Sequence, residues 1–291
     1  MNSEVCQERE KFKWKHQVKK SVLGEVSFVD NEILWLMAII YKHNNEKKHF
    51  ENDNENIVFI TPSNLIADIF RSVLISPKQQ RKLMQDLNKM YQRGFFEVVQ
   101  TRVTTVPKKL KWNETIAIDV TNLIRLQGSD ESFVCFDDED LLLITSNERV
   151  KLSQIPPLLS VYFNIVSYFN MGDIIYIDSN GNDYDLMYYN TRQDRPHIDC
   201  WASLDTLCHK RYSGGEYEEE AWITKPTLIK YIQILSDLRL IAVVKPNKKY
   251  SKGENFTNHY CFPRHEELVQ KLVDRETYQK VYCRKHGSIT R

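Results

Sequence analysis

Residues 224 to 263, TKPTLIKYIQILSDLRLIAVVKPNKKYSKGENFTNHYCFP, constrain the fold more than any other stretch of this chain. Thr224 can cap a helix, and Pro226 falls in its first turn, where a missing N–H costs little. Leu228, Ile232, Leu235 and Leu238 then recur at helical spacing along one face, which leaves Lys225, Thr227, Lys230 and Gln233 on the other. Residues 240 to 244 form a short β-rich run. Residues 245 to 252 make a basic loop with Lys245, Lys248, Lys249 and Lys252, and HYCF at 259 to 262 returns as a strand. The predicted order is helix, strand, basic loop, strand.

The same order is predicted earlier. Residues 31 to 43 read as an apolar helix carrying Ile33, Leu34, Leu36, Met37 and Ile40, and the polar run after it reads as a loop. Residues 57 to 60 are a short strand, and Thr61-Pro62 starts a helix that runs to Phe70. Ser76-Pro77 starts another, with Leu83, Leu87 and Met90 on one face, which ends at the C′ glycine Gly94. Residues 95 to 103 and 114 to 120 read as strands joined by the basic connection TTVPKKLKWN. Setting Gly94 against Arg239 matches Leu83, Leu87 and Met90 with Leu228, Ile232 and Leu235, in pattern rather than identity. The predicted fold class is therefore α+β, mainly helical: two winged helix-turn-helix domains in tandem, each with a small antiparallel β wing. In that arrangement one helix of each domain enters a major groove while the wing reaches adjacent phosphates.

The expected boundaries are a basic N-terminal segment at 1–30, domain 1 at 31–127, an acidic linker at 128–150, domain 2 at 151–265, and a C-terminal helix with a basic tail at 266–291. Domain 2 opens with Pro156-Pro157 and a helix at 158 to 169, and its middle helix is expected at 203 to 211. Between them lies an insertion at 172–190, where Asn180-Gly181 signals a hairpin. An acidic loop, YSGGEYEEEAW, precedes the last helix, where a tight helix-turn-helix has a turn of about three or four residues.

Chemistry narrows the class. The chain of 291 residues is 42% hydrophobic, enough for two ordinary cores. It has no apolar run near the roughly 20 residues that cross a bilayer. With a charged start and six scattered cysteines, it is expected to be cytoplasmic, with reduced thiols and no membrane association. A net charge of +1 conceals segregation: residues 11–20, 108–111, 245–252 and 280–291 are basic, and 130–140 and 216–220 are acidic. Two of the basic runs fall where wings are expected. No phosphate-cradling GxxxxGK[ST] motif occurs, and Gly214-Gly215 stands alone. The run from Asp178 to Asp185 lacks the Gly and Glu of a calcium loop. His197, Cys200, Cys208 and His209 fit no zinc-finger spacing, and Cys208 shares an apolar face with Leu204 and Leu207. Tyr188-Tyr189 lacks the His-hydrophobe-His partner of strand-transfer enzymes. No catalytic site, metal or cofactor is expected.

The candidate DNA-binding residues are Lys225, Thr227, Lys230 and Gln233 on the second recognition helix and Lys245, Lys248, Lys249 and Lys252 in its wing. Lys230 and Gln233 are best suited to base edges, and the wing lysines to phosphates. In the first half the candidates are Arg81, Lys82 and Gln85, accompanied by Gln79, Gln80 and Asn88, with Lys108, Lys109 and Lys111 in the wing.

The segment TKPTLIKYIQILSDLRLI resembles the recognition helix common in winged-helix proteins of low-GC Gram-positive bacteria and their mobile elements, and ASLDTL at 202 to 207 resembles the helix before it. Two such domains in a chain of this size resemble the tandem winged-helix replication initiators of plasmids and phages. That resemblance implies binding of double-stranded origin DNA, with one domain mediating dimerisation or partner contacts while both can bind repeated origin DNA. A homodimer and host replication proteins are the further partners it suggests. A transcriptional or conjugation regulator is the alternative, and a protein-interaction adaptor with this fold a further one. The chain departs from the pattern at Arg239, where glycine is usual, and in the acidic insertion before the helix.

Overall fold

The computed structural model describes residues 16–46, 56–70, 75–101, 105–124, 133–148, 150–169, 199–210, 220–251 and 256–286. They build an α+β fold, mainly helical, with small antiparallel sheets. β1 (His16–Lys19) leads into α1 (Lys20–Glu25) and α2 (Glu32–Glu46). Residues 33 to 40 of α2 are apolar without interruption and all fully buried. A helix apolar on every side must be covered on every side, so α2 lies at the centre of the fold. β2 (Ile57–Ile60), α3 (Pro62–Ile69), α4 (Pro77–Gln92), β3 (Glu97–Val99) and β4 (Ile116–Asp119) follow, and the sheet order β2-β4-β3 places the last strand in the middle.

β5 (Phe133–Phe136) pairs antiparallel with β1, Val18 opposite Val134, and α5 (Asp138–Thr145) comes next. The region expected to be an acidic linker thus carries a strand and a helix. Its acids serve the helix start, where the Asp137 N–H donates to Asp140 Oδ2 at 2.9 Å, and its apolar residues Leu141 and Ile144 are buried. α6 (Ile155–Val166) is apolar and buried along nearly its whole length, and it packs side by side with α2. Polar contacts also join the two halves of the chain: Ser160 Oγ donates to the Phe28 carbonyl at 3.0 Å, Thr145 Oγ1 to that of Ile69 at 2.7 Å and Lys210 Nζ to that of Val26 at 2.6 Å. One hydrophobic core therefore runs through both halves.

After α6 come β6 (Asp199–Cys200), α7 (Leu204–Leu207), α8 (Lys225–Asp237), β7 (Ala242–Val244), α9 (Lys248–Ser251), β8 (His259–Cys261) and α10 (Glu266–His286). The sheet order β6-β8-β7 again sets the last strand in the middle, so the two halves repeat one order of elements. α10 covers the outer face of this second sheet, with Val269 and Val273 against Ala242, Val244 and Cys261. α7 is a single turn rather than a helix over 203 to 211. Ser203 Oγ accepts from Thr206 N at 3.1 Å to start it, and Asn164 Nδ2, reaching from α6, donates to the Leu207 and His209 carbonyls at its end. The insertion at 172–190 and residues 216–219 of the acidic loop lie outside the described residues, as do His197 and Lys252.

The ends of α4 and α8 match in detail. Gly94 has φ 75° and Arg239 φ 59°, both left-handed. Gly94 N donates to the Tyr91 carbonyl and Phe95 N to that of Met90; Arg239 N donates to Ser236 and Leu240 N to Leu235. These are paired Schellman closures, and they fix the register between the halves.

Candidate nucleic-acid interface

α8 exposes a continuous stripe. Leu228, Tyr231, Ile232 and Leu235 turn into the core, while Lys225, Ile229, Lys230, Gln233 and Asp237 face solvent. Thr224 occupies the N-cap position, but its hydroxyl pairs with the Thr227 hydroxyl at 2.9 Å instead of capping a backbone N–H. Thr227 itself is half-buried, because its stripe continues through Tyr231 and Ile234 at i+4 and i+7. It is less exposed than Lys230 and Gln233. Lys225 Nζ contacts Asp205 Oδ1 from α7 at 2.5 Å, and Gln233 Nε2 donates to Asp237 Oδ1 at 2.8 Å. Lys230 has no hydrogen-bond or ion-pair partner among the described residues.

The basic loop after β7 is built differently from an open hairpin. It folds into the single turn α9, which packs on α10. Asn247 N donates to Asp274 Oδ1 at 2.7 Å, and Gln270 Nε2 donates to the Lys245 carbonyl at 2.8 Å. Gln270 and Asp274, one turn apart on α10, thus hold the loop backbone while Lys245, Lys248 and Lys249 stay exposed. Sequence reasoning missed these two supports; their i,i+4 spacing was the available signal.

On α4 the cations lie on another face, the one that matches Thr227, Tyr231 and Ile234 of α8, and they are engaged. Lys82 Nζ lies 2.9 Å from Asp30 and 3.0 Å from Asp86; Lys89 Nζ is 3.1 Å from Glu32; Arg93 is 2.8 Å from Glu32. Glu32 and Asp86 are buried, and these three carboxylates and three cations form a neutral network whose cations remain exposed to solvent. Burial opposes ionisation of Asp30, but Lys82, with help from Ser27 and Lys89, holds its carboxyl below the usual range. The hydrogen bonds that Lys82 donates to Asp30 and Asp86 raise it in turn. Asn88 is buried, accepting from Leu110 N at 2.8 Å and donating to the Leu110 carbonyl at 3.2 Å. The loop between β3 and β4 therefore folds back on α4, with Tyr91 Oη donating to the Pro107 carbonyl at 3.2 Å. Of the sequence candidates on this helix, Arg81, Lys82 and Gln85 are exposed, Arg81 Nε reaching back to the Pro77 carbonyl at 3.3 Å. Gln79 closes a capping box with Ser76. Lys108, Lys109 and Lys111 are exposed, Lys111 at 3.2 Å from Glu114.

The buried thiols do not suit reactive chemistry. Burial raises Cys208 and pushes Cys261 up to about 12, far from the thiolate that attacks or ligates. Among the described residues, no group of three or more His, Cys, Asp and Glu side chains is placed to hold a metal ion, and no helix is long and apolar enough to cross a membrane. No protein-family model, curated protein or solved structure matches the chain.

Proposed function

We propose that the chain is a sequence-specific double-stranded DNA-binding protein with two winged helix-turn-helix domains in tandem, in which α8 reads bases and the lysines between β7 and β8 hold phosphates. The observation that carries this reading is the contrast between two equivalent helices. At the positions matching Lys230 and Gln233, α4 carries the neutral Gln85 and the buried Asn88, whereas α8 exposes Gln233 and leaves Lys230 without a partner among the described residues, on a helix followed by a braced, exposed lysine loop. An ammonium can meet guanine O6 and N7, and an amide adenine N6 and N7. The bond from Gln233 to Asp237 is exposed and can exchange for a base edge. The first domain then serves as a scaffold or as the contact for a partner, a second copy of the chain included.

The biological role proposed is initiation of replication on a plasmid, phage or related element, with a transcriptional or conjugation regulator as the second reading. Selection of bound duplexes, from a randomised pool and from the DNA of the encoding element, tests both. Enrichment of direct repeats at an origin supports initiation, and an operator beside a promoter supports regulation. Lys230→Ala and Lys248→Ala each weaken binding to the selected duplex. Unchanged binding by both variants at low and moderate salt refutes DNA contact by the second domain.

A further inference from the structure

Ile229 sits four residues after Lys225 and four before Gln233, at the centre of the open stripe of α8. It is 51% exposed, and among the described residues of this helix it is the one large apolar side chain left in solvent. A single exposed isoleucine is ordinary on a protein surface. Its surroundings make this one different. It is ringed by Lys225, Lys230 and Gln233, whereas the centre of a protein-protein contact is depleted of charge and enriched in aromatic residues. The floor of the major groove offers such a helix one kind of apolar group, the C5 methyl of thymine. A β-branched side chain is held in one rotamer on a helix, so it meets that methyl with little ordering cost.

The first half supplies an internal contrast. In the register set by Gly94 and Arg239, Ile229 corresponds to Met84, which is half-buried and packed on the core. Gln233 corresponds to Asn88, which is buried and bonded to Leu110. The apolar and amide groups that α4 turns inward are the ones that α8 turns outward.

We propose that Ile229 is a specificity-determining residue that reads a thymine methyl group in the bound site; the inference rests on DNA binding by α8. Four residues of helix rise about 6 Å, less than two base-pair steps of about 3.4 Å. The thymine therefore lies within about two base pairs of the base read by Gln233.

The test uses the full-length protein and the duplex enriched from a randomised pool. Each thymine is replaced in turn by deoxyuridine, which removes the methyl and leaves the pairing edge intact. At one thymine the wild-type protein should bind the uracil duplex about four-fold more weakly, the effect of one buried methyl. Ile229→Ala should bind the two duplexes equally at that position. Ile229 is exposed, so its replacement leaves the core untouched. Binding that no single methyl affects overturns the inference and leaves the DNA-binding reading standing. A loss in Ile229→Ala that is equal on thymine and uracil duplexes also overturns it. No duplex binding by the wild-type protein removes both readings together.

Discussion

Arg239→Gly should stabilise the protein, and Gly94→Ala should destabilise it, because both positions close a helix in the left-handed region with the same pair of hydrogen bonds. An L-residue there carries a strain of about 1–2 kcal/mol, which glycine avoids. Glycine brings back about 0.5–1 kcal/mol through the greater freedom of the unfolded chain. The net gain for Arg239→Gly is about 0.5–1 kcal/mol, or a Tm about 1–4 °C higher in a protein of this size. For Gly94→Ala the added Cβ meets nothing within 4 Å, so the loss is one of backbone conformation alone. By the same two terms it should amount to about 0.5–1 kcal/mol. Urea and thermal unfolding of both variants measure the pair. A neutral Gly94→Ala, or an Arg239→Gly variant less stable than the parent, refutes the shared closure, and with it the register by which α4 and α8 are compared.

Three other outcomes follow from the same geometry. If Lys245 and Lys248 each meet a phosphate, the double variant Lys245→Ala/Lys248→Ala should flatten the slope of log affinity against log salt by about 1.8; an unchanged slope counts against the loop. Asn88→Ala leaves the Leu110 N–H and carbonyl buried without a partner and should cost about 1–3 kcal/mol in denaturant unfolding; a neutral variant would mean that the loop is not anchored there. Burial and neighbouring Arg264 lower His265 from 6.5 to about 4. The unfolded chain therefore takes up a proton before the folded one, and stability present above pH 6.5 is lost as pH falls toward 4, by up to about 3 kcal/mol. His265→Gln should remove this decline relative to the parent in unfolding curves across that interval; parallel pH profiles contradict it.

What could be read from the sequence was local. Ser76-Pro77 and Gly94 bracketed α4 because a capping box and a left-handed glycine are written within a few residues of the helix they bound. Leu228, Ile232 and Leu235 identified the buried side of α8 by spacing alone, and the same spacing places Ile229 with Lys225 and Gln233. Pairings across long stretches of chain were not legible. Asp30 and Asp86 neutralise Lys82 because the approach to α2 lies along α4, and no charge pattern near Lys82 reports the contact with Asp30. β1 finds β5 more than a hundred residues away, and that pairing gives the acidic region a strand. Its charge density also hid a helix start, since Asp137 and Asp140 suit both a solvated linker and a cap. The basic loop became α9 through Gln270 and Asp274, which belong to a helix that follows it in the chain.

The central claim is that α8, and not its equivalent α4, meets bases. Lys230 and Gln85 occupy matching positions in the two helices, and both are exposed. Affinities of Lys230→Ala and Gln85→Ala for the selected duplex, measured at one salt concentration, compare them directly. The account predicts a loss of about 1–3 kcal/mol for Lys230→Ala and a change within about 0.5 kcal/mol for Gln85→Ala. Equal losses, or a loss confined to Gln85→Ala, would contradict it.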